Sequence, residues 1–433
     1  MSDPLAPYDA VLLLSYGGPQ GPDDVLPFMR NATAGRGVPD SRLAEVSVHY
    51  QRFGGVSPIN ARNAELLEAL RAELAARGSR LPVAIGNRNW HPFVSEALRG
   101  LADAGARRVL ALTTAAYGSY SGCRQYREDL AGALALLAAG TDGATGQGPQ
   151  ADAAARVGGA GGGPVDMVVD KTRPFYNTPG MLQTNADAIV AAYDELAAQG
   201  IPAEAVRLIL VTHSIPVAME RGSAPDAPGG GAAGAGAPPP VPGPPPVREP
   251  GVAADLSTEI SYVEQHLGLA RVLLPVLAQR LGLDSPPDLD LAYCSRSGPP
   301  QARWLEPDIN DRITALATAP EPPGGVVVAP IGFIADHMEV VFDLDTEARQ
   351  TAEALAMPYA RAATAGTHPA LVASLADLLA ERAAVARGEG VVPASTTGAG
   401  PFHTVCPDSC CRPGGDHAHH PLRHTAHRSE EDS

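Results

Sequence analysis

Short apolar runs that end at turn residues set what this chain can fold into. They lie at residues 10–15, 81–86, 109–114, 165–169, 206–211, 289–294 and 326–329, with a further candidate at 359–362. Each is too short for a buried helix and is rich enough in Val, Leu and Ile to read as a strand covered on both faces. Helical apolar spacing follows several of them, at 24–31, 61–77, 94–104, 116–137, 179–198, 262–281 and 369–387. Strand–helix alternation of this kind predicts an α/β fold built on doubly wound parallel sheets. It runs through twice, so two successive Rossmann-like units with a cleft between them are expected.

The 433 residues give room for two ordinary domains and some excess. The expected units are 8–164 and 165–387, followed by a disordered tail at 388–433. Two low-complexity insertions interrupt them, a Gly/Ala-rich one at 140–163 and a Pro/Gly-rich one at 223–250. A net charge of −16 argues against nucleic acid or an anionic membrane as partner and favours cations. No basic start with an apolar segment is visible, and no run of about 18 apolar residues occurs, so neither a secretory signal nor a membrane span is expected. The five cysteines fit a cytoplasmic protein, in which thiols serve as ligands or stay free.

The most informative stretch is 330–347, PIGFIADHMEVVFDLDTE, which follows the strand at 326–329. Wound as a helix, Asp336, Glu339, Asp343 and Glu347 are spaced three, four and four apart and share one stripe. Like charges four apart cost a helix about 0.2–0.5 kcal/mol per pair, so helix stability does not explain the row. An acidic stripe is usually a solvated face. This one starts at the carboxyl end of a strand, where open α/β sheets bind ligands, and hard oxygen ligands there suggest a path for cations. His213 ends the strand at 206–211 in the same way and is the natural partner for Glu339, although a lone strand-end histidine is more often structural. Tyr16 follows the first strand, with a phenolic oxygen able to approach a metal or cofactor. The 54–58 loop, GGVSP, could cradle an anion but lacks any nucleotide-binding spacing. Cys406, Cys410 and Cys411 crowd into six residues of tail, and a fourth ligand would have to be Cys123 or Cys294.

Seven segments in order then carry a family resemblance: LLLSYGGPQGPDDVLPFM, YQRFGGVSPIN, GNRNWHPFV, YGSYSGCRQY, VTHSIP, SRSGPPQARWLEPD and PIGFIADHMEVVFDLD. Together they resemble ferrochelatase, most closely the actinobacterial form, from about residue 8 to 387. The resemblance implies two Rossmann-like lobes and Fe2+ insertion into a porphyrin held in the cleft. His213 in HS-x-P and Glu339 in DH-x-E match the facing catalytic and metal-contacting pair, with Asp336, Asp343 and Glu347 as an acidic path. Ser57 and Tyr126 match porphyrin-lining positions. Tyr16 matches the tyrosine that coordinates the product's iron in enzymes acting on coproporphyrin III. The iron coproporphyrin would then pass to a downstream haem-pathway enzyme for oxidative decarboxylation. Some members also hold a two-iron, two-sulfur (2Fe-2S) cluster, and here Cys123, Cys406, Cys410 and Cys411 match its ligand positions.

Other readings are a porphyrin carrier using Tyr16 alone, a protoporphyrin IX-specific enzyme, and a sirohydrochlorin chelatase. A carrier has no need of both His213 and the acidic row.

Overall fold

The structure is a computed structural model that describes residues 2–35, 37–140, 163–221, 223, 261–296, 302–406 and 410–411. Apart from residues 140, 163 and 223, the insertions at 140–163 and 223–250 lie outside the described residues, as does the chain beyond 411.

Two four-stranded sheets form, parallel throughout. The first contains β1 (Ala10–Ser15), β2 (Val83–Asn87), β3 (Arg108–Thr113) and β4 (Val168–Lys171), in the order β2-β1-β3-β4. The second contains β5 (Val206–His213), β6 (Leu289–Cys294), β7 (Gly325–Ala329) and β8 (Tyr359–Arg361), in the order β6-β5-β7-β8. The two orders are the same pattern shifted by four strands. In each, the order reverses between its first and third strand, which opens a crevice at their carboxyl ends. That crevice lies beyond Ser15 and Thr113 in one sheet and beyond His213 and Ala329 in the other.

Alternation along the strands builds three cores from two sheets. In β1, Ala10, Leu12 and Leu14 face one cluster, while Val11 and Leu13 face another. In the second sheet, Ile209, Val211, Val326 and Val328 face an outer cluster, and Leu208, Leu210, Val327 and Ala329 face inward. The inward faces of both sheets belong to one shared cluster, filled by helices Ile59–Ala76, Pro179–Ala197, Tyr262–Leu281 and Pro369–Ala386. The units are therefore fused along their inner faces and separate only toward the crevice mouths.

Three expectations need correction. β4 pairs with β3 in register, Val169 beside Val109 and Lys171 beside Ala111, so the first sheet extends past the expected 164/165 boundary and the changeover follows Lys171. Residues 388–406 of the tail are not disordered: Thr396 N–H bonds the Asn177 carbonyl at 2.8 Å, and Phe402 is buried against Gly118, where a Cβ would come within 2.8 Å of its ring. Residues 330–337 are turns and bends rather than helix; the helix starts at Met338, becomes a π-helix from Val340 to Ala348 and continues as Arg349–Ala354. Helices Asp40–Gln51 and Ile309–Ala317 also form where the sequence suggested none; the first buries only Leu43 and so shows little apolar periodicity.

Helix Pro179–Ala197 meets Pro369–Ala386 at Gly180, where a Cβ would stand 2.1 Å from the Ala370 carbonyl oxygen and 2.6 Å from Ser374 Oγ. Gly180 N–H also donates to Ser374 Oγ at 2.9 Å. Gly180→Ala should therefore separate the helices and cost about 3 kcal/mol, the upper end for overpacking, read as a lowered urea midpoint.

Candidate active site

His213 closes β5, and its ring position follows from two neighbours. Nδ1 lies in short contact with the Ser214 carbonyl, which can only accept, so Nδ1 carries the proton and Nε2 of the neutral ring presents its lone pair. Nε2 faces Glu339 Oε1 at 3.6 Å. Both side chains keep contact with the cleft, at 29% and 40% exposure. Burial opposes the imidazolium, but the Glu339 charge and hydrogen bond outweigh it and raise the His213 pKa above the ordinary 6.5. Burial likewise opposes the Glu339 carboxylate, and His213 with His337 offsets this and brings the carboxyl down to about 2.

The π-helix turns the acidic stripe into a graded row. Its backbone widens to i→i+5 pairing, and Thr346 Oγ1 donates back to the Val341 carbonyl at 3.1 Å, five residues earlier. Glu347 lies at the exposed end, Asp343 is partly buried, and Glu339 stands against His213. Burial, then the Glu339 and Glu347 charges, push Asp343 up to about 7 in spite of a short hydrogen bond from Ser295 Oγ. Ser295 holds that hydroxyl in place from a left-handed backbone, φ 64°, a conformation that costs a non-glycine residue about 1–3 kcal/mol. Asp336 is not in the row. It precedes the π-helix, pairs with Arg361 at 3.3 Å and accepts from Thr364 at 3.1 Å.

The opposite wall comes from the first unit. Tyr16, just past β1, is 38% exposed and rests edge-on against Phe28, ring centroids 6.2 Å apart. The Arg88 guanidinium lies between two rings, 5.9 Å from Tyr16 and 4.6 Å from Tyr126, and is ion-paired with Asp129. Ser57 packs against Gly18, where any Cβ would meet Ser57 Cβ at 2.7 Å. Ser57 and Tyr126 are each only 4% exposed, so they back the wall that Tyr16 presents. Contact across the cleft is made by His49, which stacks on Phe342 of the π-helix at 4.0 Å and 14°. Next to it, Tyr50 packs on Phe28, ring centroids 5.9 Å apart, and its hydroxyl is pushed well above its ordinary pKa by burial and by the Glu339 charge.

Residues 8–383 match the profile of the Ferrochelatase family. The chain belongs to the ferrochelatase family. It is 43% identical to the coproporphyrin III ferrochelatase of Streptomyces coelicolor over 406 residues, covering 94% of each chain. It is 40% identical to the coproporphyrin III ferrochelatase of Leifsonia xyli, covering 95% of this chain and 92% of that one. Among solved structures, SirB from Bacillus subtilis with Fe3+ aligns over 88% of this chain and 97% of its own, at TM-score 0.43 and 11% identity.

A second group of side chains gathers away from the cleft. Cys123, Cys410 and Cys411 form one buried cluster, and Cys406 packs against it. Cys410 and Cys411 sulfurs are 3.6 Å apart, and the Cys411 thiol also donates to the Ser223 carbonyl at 3.6 Å. The neighbouring Cys406 and Cys411 thiols, with the Lys171 ammonium, hold the Cys123 thiol well below its usual pKa. As placed, no group of three or more His, Cys, Asp or Glu among the described residues closes around a metal ion; the sulfurs touch one another. The donor set is nonetheless of the right chemistry for an iron–sulfur group, four soft thiols with a cation beside them. Cys294 stands apart at the end of β6, bonded to Ser295, so Cys123 is the body cysteine that meets the tail.

His337, Tyr50, Arg88 and Ser295 are the site neighbours that sequence reasoning missed. All four lie in the family-like segments, and His337 carried the most direct signal, its place beside Glu339 in DHME, where its Nδ1 accepts the Glu339 N–H at 3.2 Å.

A pH prediction follows from the pair. As a base, His213 must be neutral, so its raised pKa means activity is lost as pH falls through a value above 6.5. Glu339→Gln removes the largest influence that raises it and leaves burial opposed only by the Ser214 carbonyl and the Asp343 charge. The acid limb of kcat/KM should then move to lower pH, whatever happens to the maximum.

Proposed function

We infer that the protein inserts Fe2+ into coproporphyrin III, yielding iron coproporphyrin III and two pyrrole protons. The observation that carries this reading is the His213–Glu339 pair at the crevice of the second sheet, in a chain so close to named coproporphyrin III ferrochelatases. Metal insertion needs pyrrole lone pairs turned to one face while two N–H protons leave. A cleft that holds the macrocycle bent favours that state over the flat substrate. His213 Nε2 offers its lone pair to Fe2+ or to a pyrrole proton in turn, and Glu339 supplies a hard oxygen to the metal and a counter-charge to the imidazolium. Asp343, with its pKa near neutrality, takes the proton onward and Glu347 releases it to solvent. Asp336 is assigned no part in that path, because Arg361 and Thr364 occupy it. Tyr16 coordinates the product's iron from the opposite wall, over the support of Ser57 and Tyr126. A carrier gripping the ring through Tyr16 would have no use for the facing pair.

We also assign a 2Fe-2S cluster to Cys123, Cys406, Cys410 and Cys411, supported by the convergence of their sulfurs. Bound there, it would supply a one-electron redox centre, while the four cysteines tie the tail to the first unit. A cytoplasmic location is supported by five unpaired thiols, and a haem-pathway enzyme is the proposed recipient of the product. Among the described residues, no helix is long and apolar enough to cross a membrane.

Two measurements test these assignments. Anaerobic Fe2+ insertion, followed by absorbance, should turn over coproporphyrin III faster than protoporphyrin IX. His213→Ala should lower kcat by about 10²–10⁴, the usual worth of a general base. Tight binding of porphyrin without turnover would replace the enzyme with a carrier. Protein purified without oxygen should be brown, and Cys123→Ser colourless; a colourless wild type from iron-replete cells would remove the cluster.

A further inference from the structure

His213 ends β5 at a place where the sheet supports it on one side only. It pairs with Cys294 of β6, and the Ser214 N–H donates to the Cys294 carbonyl at 2.8 Å. On the other side, β7 stops at Ala329, opposite Leu210, so Thr212 and His213 run on past it. A side chain fills that role. Tyr262 opens helix Tyr262–Leu281 and is buried in the inner cluster. Its hydroxyl donates to the His213 carbonyl at 3.3 Å and lies 2.7 Å from Thr212 Oγ1. A carbonyl can only accept, so both bonds form when Thr212 donates to Tyr262 and Tyr262 donates onward. Thr212 is also the surface on which the segment after β7 turns back. A Cβ on Gly332 would stand 2.0 Å from Thr212 Oγ1, and the Gly332 N–H donates to the Val211 carbonyl at 3.2 Å. That segment leads to Glu339, so the Thr212–Tyr262 hydroxyl pair lies behind both members of the facing pair. Tyr262 itself is held. Its ring is edge-on to Tyr117 at 6.3 Å and to His266 at 4.6 Å, and His266 Nδ1 donates to its carbonyl at 2.7 Å. Gln265 clamps this end of the helix to the first unit, accepting the Gly118 N–H at 2.7 Å and donating to the Gly118 carbonyl at 2.8 Å.

We propose that Tyr262 is a positioning residue for metal insertion, its hydroxyl fixing the free end of β5 and so setting the approach of His213 to Glu339. This rests on the reading that the facing pair performs the insertion. The His213 ring is bonded to the backbone it stands on, through Nδ1 and the Ser214 carbonyl, so a shift of that backbone carries Nε2 with it. Nε2 stands 3.6 Å from Glu339 Oε1, and a displacement of about 1 Å in a reacting arrangement can cost about 10²-fold in rate. Tyr262 lies in the core behind the crevice and not in its wall. Loss of its hydroxyl should therefore appear in turnover and leave porphyrin binding alone. Because Gln265 and Gly118 tie the same helix end to the first unit, the placement of His213 also depends on how the two units are joined.

Tyr262→Phe removes the hydroxyl and keeps the ring contacts. In anaerobic Fe2+ insertion into coproporphyrin III it should lower kcat by about 10- to 100-fold, the usual effect of losing a partner that orients a metal-contacting group, with the porphyrin KM within about twofold of wild type. Tyr193→Phe controls for the loss of a buried phenol. Its hydroxyl, on helix Pro179–Ala197, has no hydrogen-bond partner among the described residues, and kcat should stay at the wild-type value. Thr212→Val removes the other arm of the link and should lower kcat in the same direction, again with KM unchanged; it decides the question if Tyr262→Phe does not fold. A wild-type kcat in Tyr262→Phe, or in Thr212→Val where that variant decides, would overturn the proposal, as would a fall in kcat matched by an equal rise in porphyrin KM. With His213→Ala inactive, either result leaves the facing pair standing. If His213→Ala turns over like wild type, the reading of the pair fails and this proposal falls with it.

Discussion

A parallel sheet has to bury both of its faces, and this chain satisfies that demand twice with one set of inner helices. Because the inward faces of both sheets share a single cluster, neither unit completes its core without the other. The fusion aims the carboxyl ends of β1 and β3 and of β5 and β7 at a common cleft. Every active-site assignment depends on that geometry. Tyr16 follows β1, His213 ends β5, and the acidic stretch follows β7, and residues as remote in the chain as His49 and Phe342 meet because their strands are held in parallel.

Within the cleft, electrostatics sorts like residues into unlike roles. Glu339 stays ionised because His213 and His337 more than offset its burial, whereas for Asp343, four residues on, burial and the Glu339 and Glu347 charges outweigh Ser295 and His213 and push it to about 7. A carboxylate held strongly anionic suits metal contact, and one poised near neutrality suits proton transfer. The π-helix lets a single short segment present both beside an exposed Glu347. Asp336 shows the opposite outcome: the same residue type, given Arg361 as a partner, becomes a structural link between the segment that follows β7 and strand β8.

The described part of the tail, 388–406 and 410–411, belongs to the folded body. Arg173, buried beyond β4, pairs with Glu381 at 2.8 Å and donates to the Ala394 carbonyl at 2.9 Å. Asn177 holds the chain at Ser395, Thr397 and Gly400, and Phe402 fills the space over Gly118. These contacts carry Cys406 and its neighbours to Cys123 and Lys171.

The sequence by itself determined the strand–helix alternation, the two-sheet class, the family and the pair His213 and Glu339. These are properties of apolar period and of motif order, which local residues encode. The tertiary structure alone decided that β4 belongs to the first sheet, because a short edge strand carries no mark of which sheet it will join. It decided that Asp336 leaves the acidic row, since Arg361 and Thr364 come from a distant strand and the loop after it. It chose Cys123 over Cys294 as the partner of the tail cysteines, and it placed Tyr50 and Arg88 at the cleft. In each case the deciding neighbour is remote in the chain, and spacing along a sequence records only what lies within a few turns or one strand of a residue.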